Sequence, residues 1–153
     1  MTSTTKSRWT IGKILISLVA IFTGVSPYLA DWNITHIYNP AWTPHAKIHN
    51  AQTMVLGAML GFLAIYCLWF RQGITKKQKL NEATVLASLY WLAQLPAILF
   101  PDTALVDSGI NHVQMPKILG VELNQLILDI IVIFPLIALG YYLENRALKK
   151  AAI

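Results

Sequence analysis

Four long runs of apolar residues, separated by short polar segments, account for most of the chain's 153 residues. The runs cover about 11–30, 48–70, 83–100 and 121–142. Crossing a hydrocarbon core about 30 Å thick takes roughly 20 helical residues, so each run is about long enough. The pattern predicts an all-α integral membrane protein, in which residues 1–153 form a single domain, a bundle of four transmembrane helices.

The composition supports the membrane class and limits the kinds of partner that the protein can have. Hydrophobic residues make up 56% of the chain and charged residues only 12%. Soluble domains average about 25% charged residues, so a fully water-facing surface is excluded. The net charge of +5 is spread over short segments that carry no aromatic platform for bases. We therefore predict the lipid bilayer as a partner and no nucleic acid.

The positions of the basic residues predict an orientation. Ten of the twelve Lys and Arg residues lie before or at the start of the first run, between the second and third, or after the fourth: Lys6, Arg8, Lys13, Arg71, Lys76, Lys77, Lys79, Arg146, Lys149 and Lys150. Such residues favour the cytoplasmic side of a membrane. We therefore expect both termini and the middle loop to be cytoplasmic, and loops 31–47 and 101–120 to be non-cytoplasmic.

The segment DWNITHIYNPAWTPHAKIHNAQ, from Asp31 to Gln52, concentrates polar and aromatic residues at a membrane boundary. Its Pro and Asn residues predict a turned or extended loop. Thr43 followed by Pro44 is typical of a helix start, with Thr43 as the N-cap. The second helix is therefore predicted to cover 44–70, so that it begins before its apolar run.

Two polar stripes are predicted to meet at this end of the bundle. On the second helix, the spacing i, i+4, i+7 puts three residues on one face: His45, His49 and Gln52. On the fourth, Glu122, Gln125 and Asp129 form a matching stripe beside Asn124. Asp129 lies about two turns into its span, where an ionised carboxylate facing lipid would be costly. It should therefore face the bundle interior, protonated or paired.

These residues are suited to moving protons. We predict catalytic roles for four residues: His49, Asp129, Glu122 and Asp31. Ten others are predicted to bind the substrate: Trp32, Asn33, His36, Tyr38, Trp42, His45, Asn50, Gln52, Asn124 and Gln125. Trp32, Tyr38 and Trp42 would form an aromatic lid, although Trp and Tyr also collect at membrane interfaces without any further role.

The function that this pattern favours is an acid–base isomerase or cyclase acting on a small lipid-soluble substrate. A terpenoid, sterol or quinone could enter from the bilayer. A neutral carboxylic acid can protonate an alkene or epoxide, and a histidine can take a proton back. The alternative is a non-catalytic membrane subunit, or a binder of a small molecule or a metal.

His45 and His49 have the spacing of a metal-binding pair on a helix. Two histidines are not a complete site, and more distant residues would have to complete it: His36, His112, Asp31, Asp102 or Glu122. Haem would need a second histidine facing His49 from another helix, and the spans offer no clear one. The simpler interpretation is that these histidines cap the helix and bond loop carbonyls. We predict no metal and no cofactor.

Gly57 and Gly61 form a GxxxG motif in the second span. Small residues at this spacing let another helix approach closely. That helix can belong to the same bundle or to a second copy of the chain. The motif is therefore also a predicted contact for a homo-oligomer.

The opening segment resembles a small family of four-span membrane proteins of bacteria and fungi. The resemblance rests on the motif DWN-x-TH-x-x-NP-x-W-x-PHAK-x-H-x-AQT and, for the rest of the chain, mainly on length and topology. It implies a four-helix membrane bundle with these characteristic residues: Asp31, Trp32, Asn33, Thr35, His36, Asn39, Pro40, Trp42, Pro44, His45, His49 and Gln52. It implies no particular reaction.

Overall fold

The computed structural model describes residues 9–105, 117, 118 and 120–152, and its architecture is helical. The helices are α1 (Ile11–Asp31), α2 (Pro44–Trp69), α3 (Lys76–Ala97) and α4 (Gln125–Ala151). Ahead of α4, β1 (Lys117–Ile118) pairs with β2 (Val121–Glu122) in a two-residue antiparallel ladder. The predicted helical class is confirmed in the described part of the chain.

Three helices within the described ranges are long and apolar enough to cross a membrane, namely α1, α2 and α4. α3 is less clearly apolar, because Lys76, Lys77, Lys79 and Glu82 occupy its first two turns. It nevertheless packs along α2 and α4 through one buried face: Leu80, Ala83, Ala87 and Trp91. The protein is therefore of the membrane class, while the count of four spans and the orientation stay predictions.

The helices do not all begin where their apolar runs begin. α2 begins at Pro44, as predicted, and the Thr43 hydroxyl accepts a hydrogen bond from the Ala46 amide at 3.2 Å. α3 begins before its apolar run because Thr75 and Gln78 form a capping box that extends the helix into polar sequence. α4 starts later than predicted because residues up to Glu122 belong to β2.

Two glycines of α2 lie directly against the backbone of α1. A Cβ atom added at Gly57 would come within 2.8 Å of the Thr23 carbonyl oxygen, and one at Gly61 would collide with the Ala20 carbonyl oxygen. The Thr23 carbonyl has no helical donor, since Pro27 lacks an N–H group. The GxxxG motif therefore serves packing within the chain, and the homo-oligomer contact stays an untested prediction.

The opposite end of the bundle is held by a contact between α1 and α4. An added Cβ at Gly12 would lie 2.6 Å from the Gly140 carbonyl oxygen, so the two helices nearly touch. One turn further along α4, the buried Glu144 carboxylate accepts a hydrogen bond from the hydroxyl of Thr10, the N-cap of α1. This end of the bundle is tightly joined.

Prolines interrupt three of the helices toward the other end. Pro27 lies inside α1 and Pro96 inside α3. In α4, Pro135 cannot donate to the carbonyl four residues earlier, and the preceding turn, Asp129–Ile133, is π-helical. The helices therefore deviate from regular geometry near Asp31, and a cavity opens at this end of the bundle.

The predicted orientation can be tested with single cysteines in a Cys67→Ser background. We expect a membrane-impermeant maleimide added outside intact cells to label Ala41→Cys, and Gln72→Cys only after permeabilisation, because the two exposed residues flank α2. The buried Cys67 of the unmodified chain should stay unlabelled in both conditions and serves as the control. Labelling of both positions from one side would contradict a membrane crossing by α2.

Candidate functional site

A cavity of about 830 Å³ lies between the helices at the Asp31 end of the bundle. All four helices line it, together with one residue of the loop after α1. Along α1 it extends from Asp31 to Phe22, which at about 1.5 Å per residue corresponds to a depth of about 14 Å. The polar side chains on its wall are Ser26, Asp31, His36, Thr53, Tyr90, Gln94, Gln125 and Asp129.

Asp129 is the most unusual side chain on this wall. It is 0% exposed, and neither of its carboxylate oxygens has a hydrogen-bond partner among the described residues. Gln94 Oε1, on the facing helix, is also buried and unpartnered within the described part of the chain. An ionised carboxylate without a partner is costly in an apolar interior, so Asp129 is most stable there as the neutral acid. A neutral carboxylic acid is a proton donor.

Asp31, the last residue of α1, anchors a second polar group nearer the loops. Asn50 Nδ2 donates to its Oδ2 at 2.8 Å, and His36 Nε2 lies 3.7 Å from its Oδ1. Asp31 and His36 both line the cavity. Asn50 comes from the first turns of α2 and ties that helix to the end of α1.

The hydrogen bonds around His36 favour one tautomer of its ring. The Asn33 Oδ1 atom is an acceptor, because the Thr35 backbone N–H donates to it at 2.8 Å. The Thr35 hydroxyl lies 2.5 Å from the same oxygen and therefore gives its one proton to Asn33. His36 Nδ1, at 2.7 Å from that hydroxyl, must then be the donor. In the neutral ring, Nε2 is left as the acceptor beside Asp31, in the position of a base.

The loop residues predicted as an aromatic lid divide into two groups. The Trp42 ring meets the His36 ring edge-on, with 5.1 Å between centroids, and so supports the histidine. Trp32 and Tyr38 are exposed, and Trp32 Nε1 donates to the Tyr38 hydroxyl at 2.6 Å. Neither is among the described residues that line the cavity.

The histidine stripe of α2 does not reach the cavity. His45 and His49 are exposed, and their Nε2 atoms lie 3.0 Å apart, so the two rings bond each other. Gln52 lines a separate shallow groove on α2 with Ile48 and Met59. The neighbouring face of α2 is the one turned inward, and it supplies Thr53 to the cavity wall.

The stripe of α4 is only partly in the site. Gln125 and Asp129 line the cavity, whereas Asn124 caps the helix by accepting from the Ile127 amide at 3.0 Å. The side chain of Glu122 lies outside the described part of the structure, as does the whole of His112. In the described residues, no group of three or more His, Cys, Asp or Glu side chains is arranged to hold a metal ion.

An aromatic wall that the sequence did not point to closes the inner part of the cavity. We give this name to Phe22, Tyr90 and Trp91, which all line it. The Phe22 and Trp91 rings are stacked at 5.5 Å and 8°, and Tyr90 meets Trp91 at 5.3 Å and 80°. The i, i+4 spacing of Ala87 and Trp91 could have indicated an inward-facing ring, but not its neighbours.

Fold and cavity together define a helical membrane protein with a buried carboxyl side chain inside its bundle. The chain belongs to the family of unknown function DUF6640, whose model matches residues 15–152. The predicted membership of a family without an assigned reaction is thereby confirmed, while the motif and the bacterial and fungal distribution stay predictions. No curated protein and no solved structure matches the chain.

Proposed function

We propose that this protein is a membrane-embedded acid–base enzyme, an isomerase or cyclase, for a small lipid-soluble substrate bound in the cavity. The observation that carries the proposal is Asp129, a fully buried carboxyl on the cavity wall without a described partner. Leaving a buried polar group unpaired costs about 1–3 kcal/mol. A buried polar group that lowers the stability of the fold and lies on a cavity wall is typical of a site where the group contacts a ligand or takes part in a reaction.

Access from the bilayer supports a lipid-soluble substrate. Several apolar residues that line the cavity are also exposed: Leu29 is 74% exposed, Leu56 49% and Leu89 44%. On membrane-spanning helices such residues face lipid. A molecule dissolved in the bilayer can therefore reach the cavity without crossing the polar loops.

The volume limits the part of a substrate that the cavity can enclose. A group the size of a water molecule takes up about 30 Å³ in a liquid. A cavity of about 830 Å³ therefore encloses roughly 25–30 non-hydrogen atoms. A whole terpenoid or sterol is of this size.

The wall offers a proton donor and a proton acceptor. In the proposed reaction, neutral Asp129 gives its proton to the substrate, and Gln94, one helix away, orients the reacting group. The His36–Asp31 pair accepts a proton that the substrate releases, because Nε2 is the free acceptor of His36 and Asp31 stabilises the imidazolium formed. We assign acceptance to His36 and not to His49, because His49 does not line the cavity.

The proposal can be tested without knowing the substrate, because moving protons on carbon exchanges them with solvent. Membranes of the native organism, enriched in this protein, are incubated in D₂O and their lipid extract is analysed by mass spectrometry. We expect a lipid-soluble compound to gain deuterium with the unmodified protein. Asp129→Asn should slow this gain by about 10²- to 10⁴-fold, the usual contribution of a positioned acid or base.

Glu144→Gln is the matched control, since it neutralises the buried carboxyl at the other end of the bundle. It should leave the rate of deuterium gain unchanged. If the unmodified and Asp129→Asn proteins gave equal rates of deuterium gain, the proposed enzymatic function would be contradicted. An apolar molecule that co-purifies with both proteins, without any exchange, would support the non-catalytic binder instead.

A further inference from the structure

We propose that the substrate is an olefinic lipid, and that the aromatic wall of Phe22, Tyr90 and Trp91 stabilises the carbocation formed when its double bond is protonated. This inference rests on the proposed function and adds the substrate class. It follows from the kind of charge that the inner half of the cavity can stabilise.

The rings are held rigidly around the cavity. Trp91 is 4% exposed, and its Nε1 donates to the Thr23 hydroxyl at 2.8 Å. That hydroxyl in turn donates to the Val19 carbonyl at 2.9 Å, so Thr23 is itself fixed to α1. Phe22 immediately precedes Thr23 on α1, and its ring stacks on that of Trp91. The rings are therefore prearranged, so little reorganisation is needed when charge develops beside them.

The inner wall is suited to a positive charge. The faces of aromatic rings attract cations, most strongly in a desolvated site. The Trp91 N–H is already bonded to the Thr23 hydroxyl. No Lys or Arg lines the cavity among the described residues, so no cation of that kind there would oppose a developing positive charge.

The proposed step conserves protons and electrons. The Asp129 O–H bond breaks and the electron pair of the alkene takes up its proton, forming a new C–H bond. The other alkene carbon becomes a carbocation beside the aromatic wall. A neighbouring C–H bond then breaks, its electron pair forms the shifted double bond, and its proton goes to His36 Nε2. No oxidant or reductant is needed.

A pair of probes that differ only in charge tests the wall. The protein in lipid nanodiscs is titrated with N,N-dimethyldodecylamine, which is an ammonium ion at neutral pH, and with its neutral carbon isostere, and partition into empty nanodiscs is subtracted. We expect the ammonium ion to bind about 3- to 30-fold more tightly, the range of a partly to fully desolvated cation–π contact. Phe22→Leu and Trp91→Leu should each reduce this preference toward one.

Three control variants should keep the preference. Trp91→Phe retains a ring, Leu60→Val changes only an aliphatic lining residue, and the double variant Asp31→Asn/Asp129→Asn removes both lining carboxyls as a source of attraction. A preference that is lost in the double variant, or that is unchanged in both leucine variants, would overturn the proposed role of the aromatic wall. If Trp91→Leu does not fold, Phe22→Leu decides, since Phe22 is 38% exposed. Failure of the unmodified protein to bind either probe would overturn the ligand cavity itself, and with it the proposed function.

Discussion

Gly61→Ala is expected to lower the free energy of unfolding by about 1–3 kcal/mol, as overpacking of a tight interface usually does. The added Cβ would collide with the Ala20 carbonyl oxygen and lie 3.0 Å and 3.2 Å from the Gly24 amide nitrogen and Cα. These atoms are backbone, so α1 and α2 would have to move apart as rigid helices. The loss is measurable by unfolding the protein in mixed detergent micelles.

Gly24→Ala provides the matched control from the opposite side of the same interface. The nearest atom to its added Cβ would be the Ala58 Cα at 3.7 Å, an ordinary van der Waals contact. Alanine is favoured over glycine in a helix by about 1 kcal/mol, so this variant should be as stable as the unmodified protein or more so. Similar losses for the two variants would show that close helix contact at Gly61 does not govern stability.

Asp129→Leu is expected to raise the free energy of unfolding by about 1–3 kcal/mol while abolishing the proposed activity. The substitution removes a buried carboxyl without a described partner and replaces it with an apolar side chain that can extend into the cavity. Most substitutions at buried positions destabilise a protein, so a gain would identify Asp129 as a residue retained at a cost in stability.

Glu144→Leu is the control variant for Asp129→Leu. Glu144 is also buried, at 3% exposure, but its carboxylate accepts a hydrogen bond from Thr10. Removing it leaves the partly buried Thr10 hydroxyl without that acceptor and loosens α4 from the start of α1. We expect a loss of about 1–3 kcal/mol. A loss of similar size for Asp129→Leu would indicate that Asp129 has a structural role.

The predictable features were those with a local physical cause. The apolar run starting at Ile11, the Thr43 cap and the burial of Asp129 each follow from short-range sequence. The rotation of α2 does not. Moving from His49 to Asn50 turns a helix by about 100°, and both faces of this helix start carry polar residues. Only packing against α1, through Gly57 and Gly61, selects the Asn50 face.

The tautomer of His36, the proposed base, could not be predicted from the sequence for a different reason. The tautomer of His36 depends on the bonds of Asn33 and Thr35, which arise from the shape of a nonrepetitive loop. No periodicity encodes that shape. In the same way, the hydrogen bond between Trp91 and Thr23 joins residues 68 positions apart and depends on how closely the helices approach.

The π-helical turn reconciles two demands on the angular register of α4. In a regular helix, Asp129 and Ile137 would be rotated about 80° from each other, because they are eight residues apart. A π turn accommodates one additional residue, which reduces this rotation to about −20°. Both residues are consequently buried, although one faces the cavity and the other packs below it. The π turn thus adjusts the angular positions along α4, so that Glu144 bonds Thr10 while Asp129 lines the cavity.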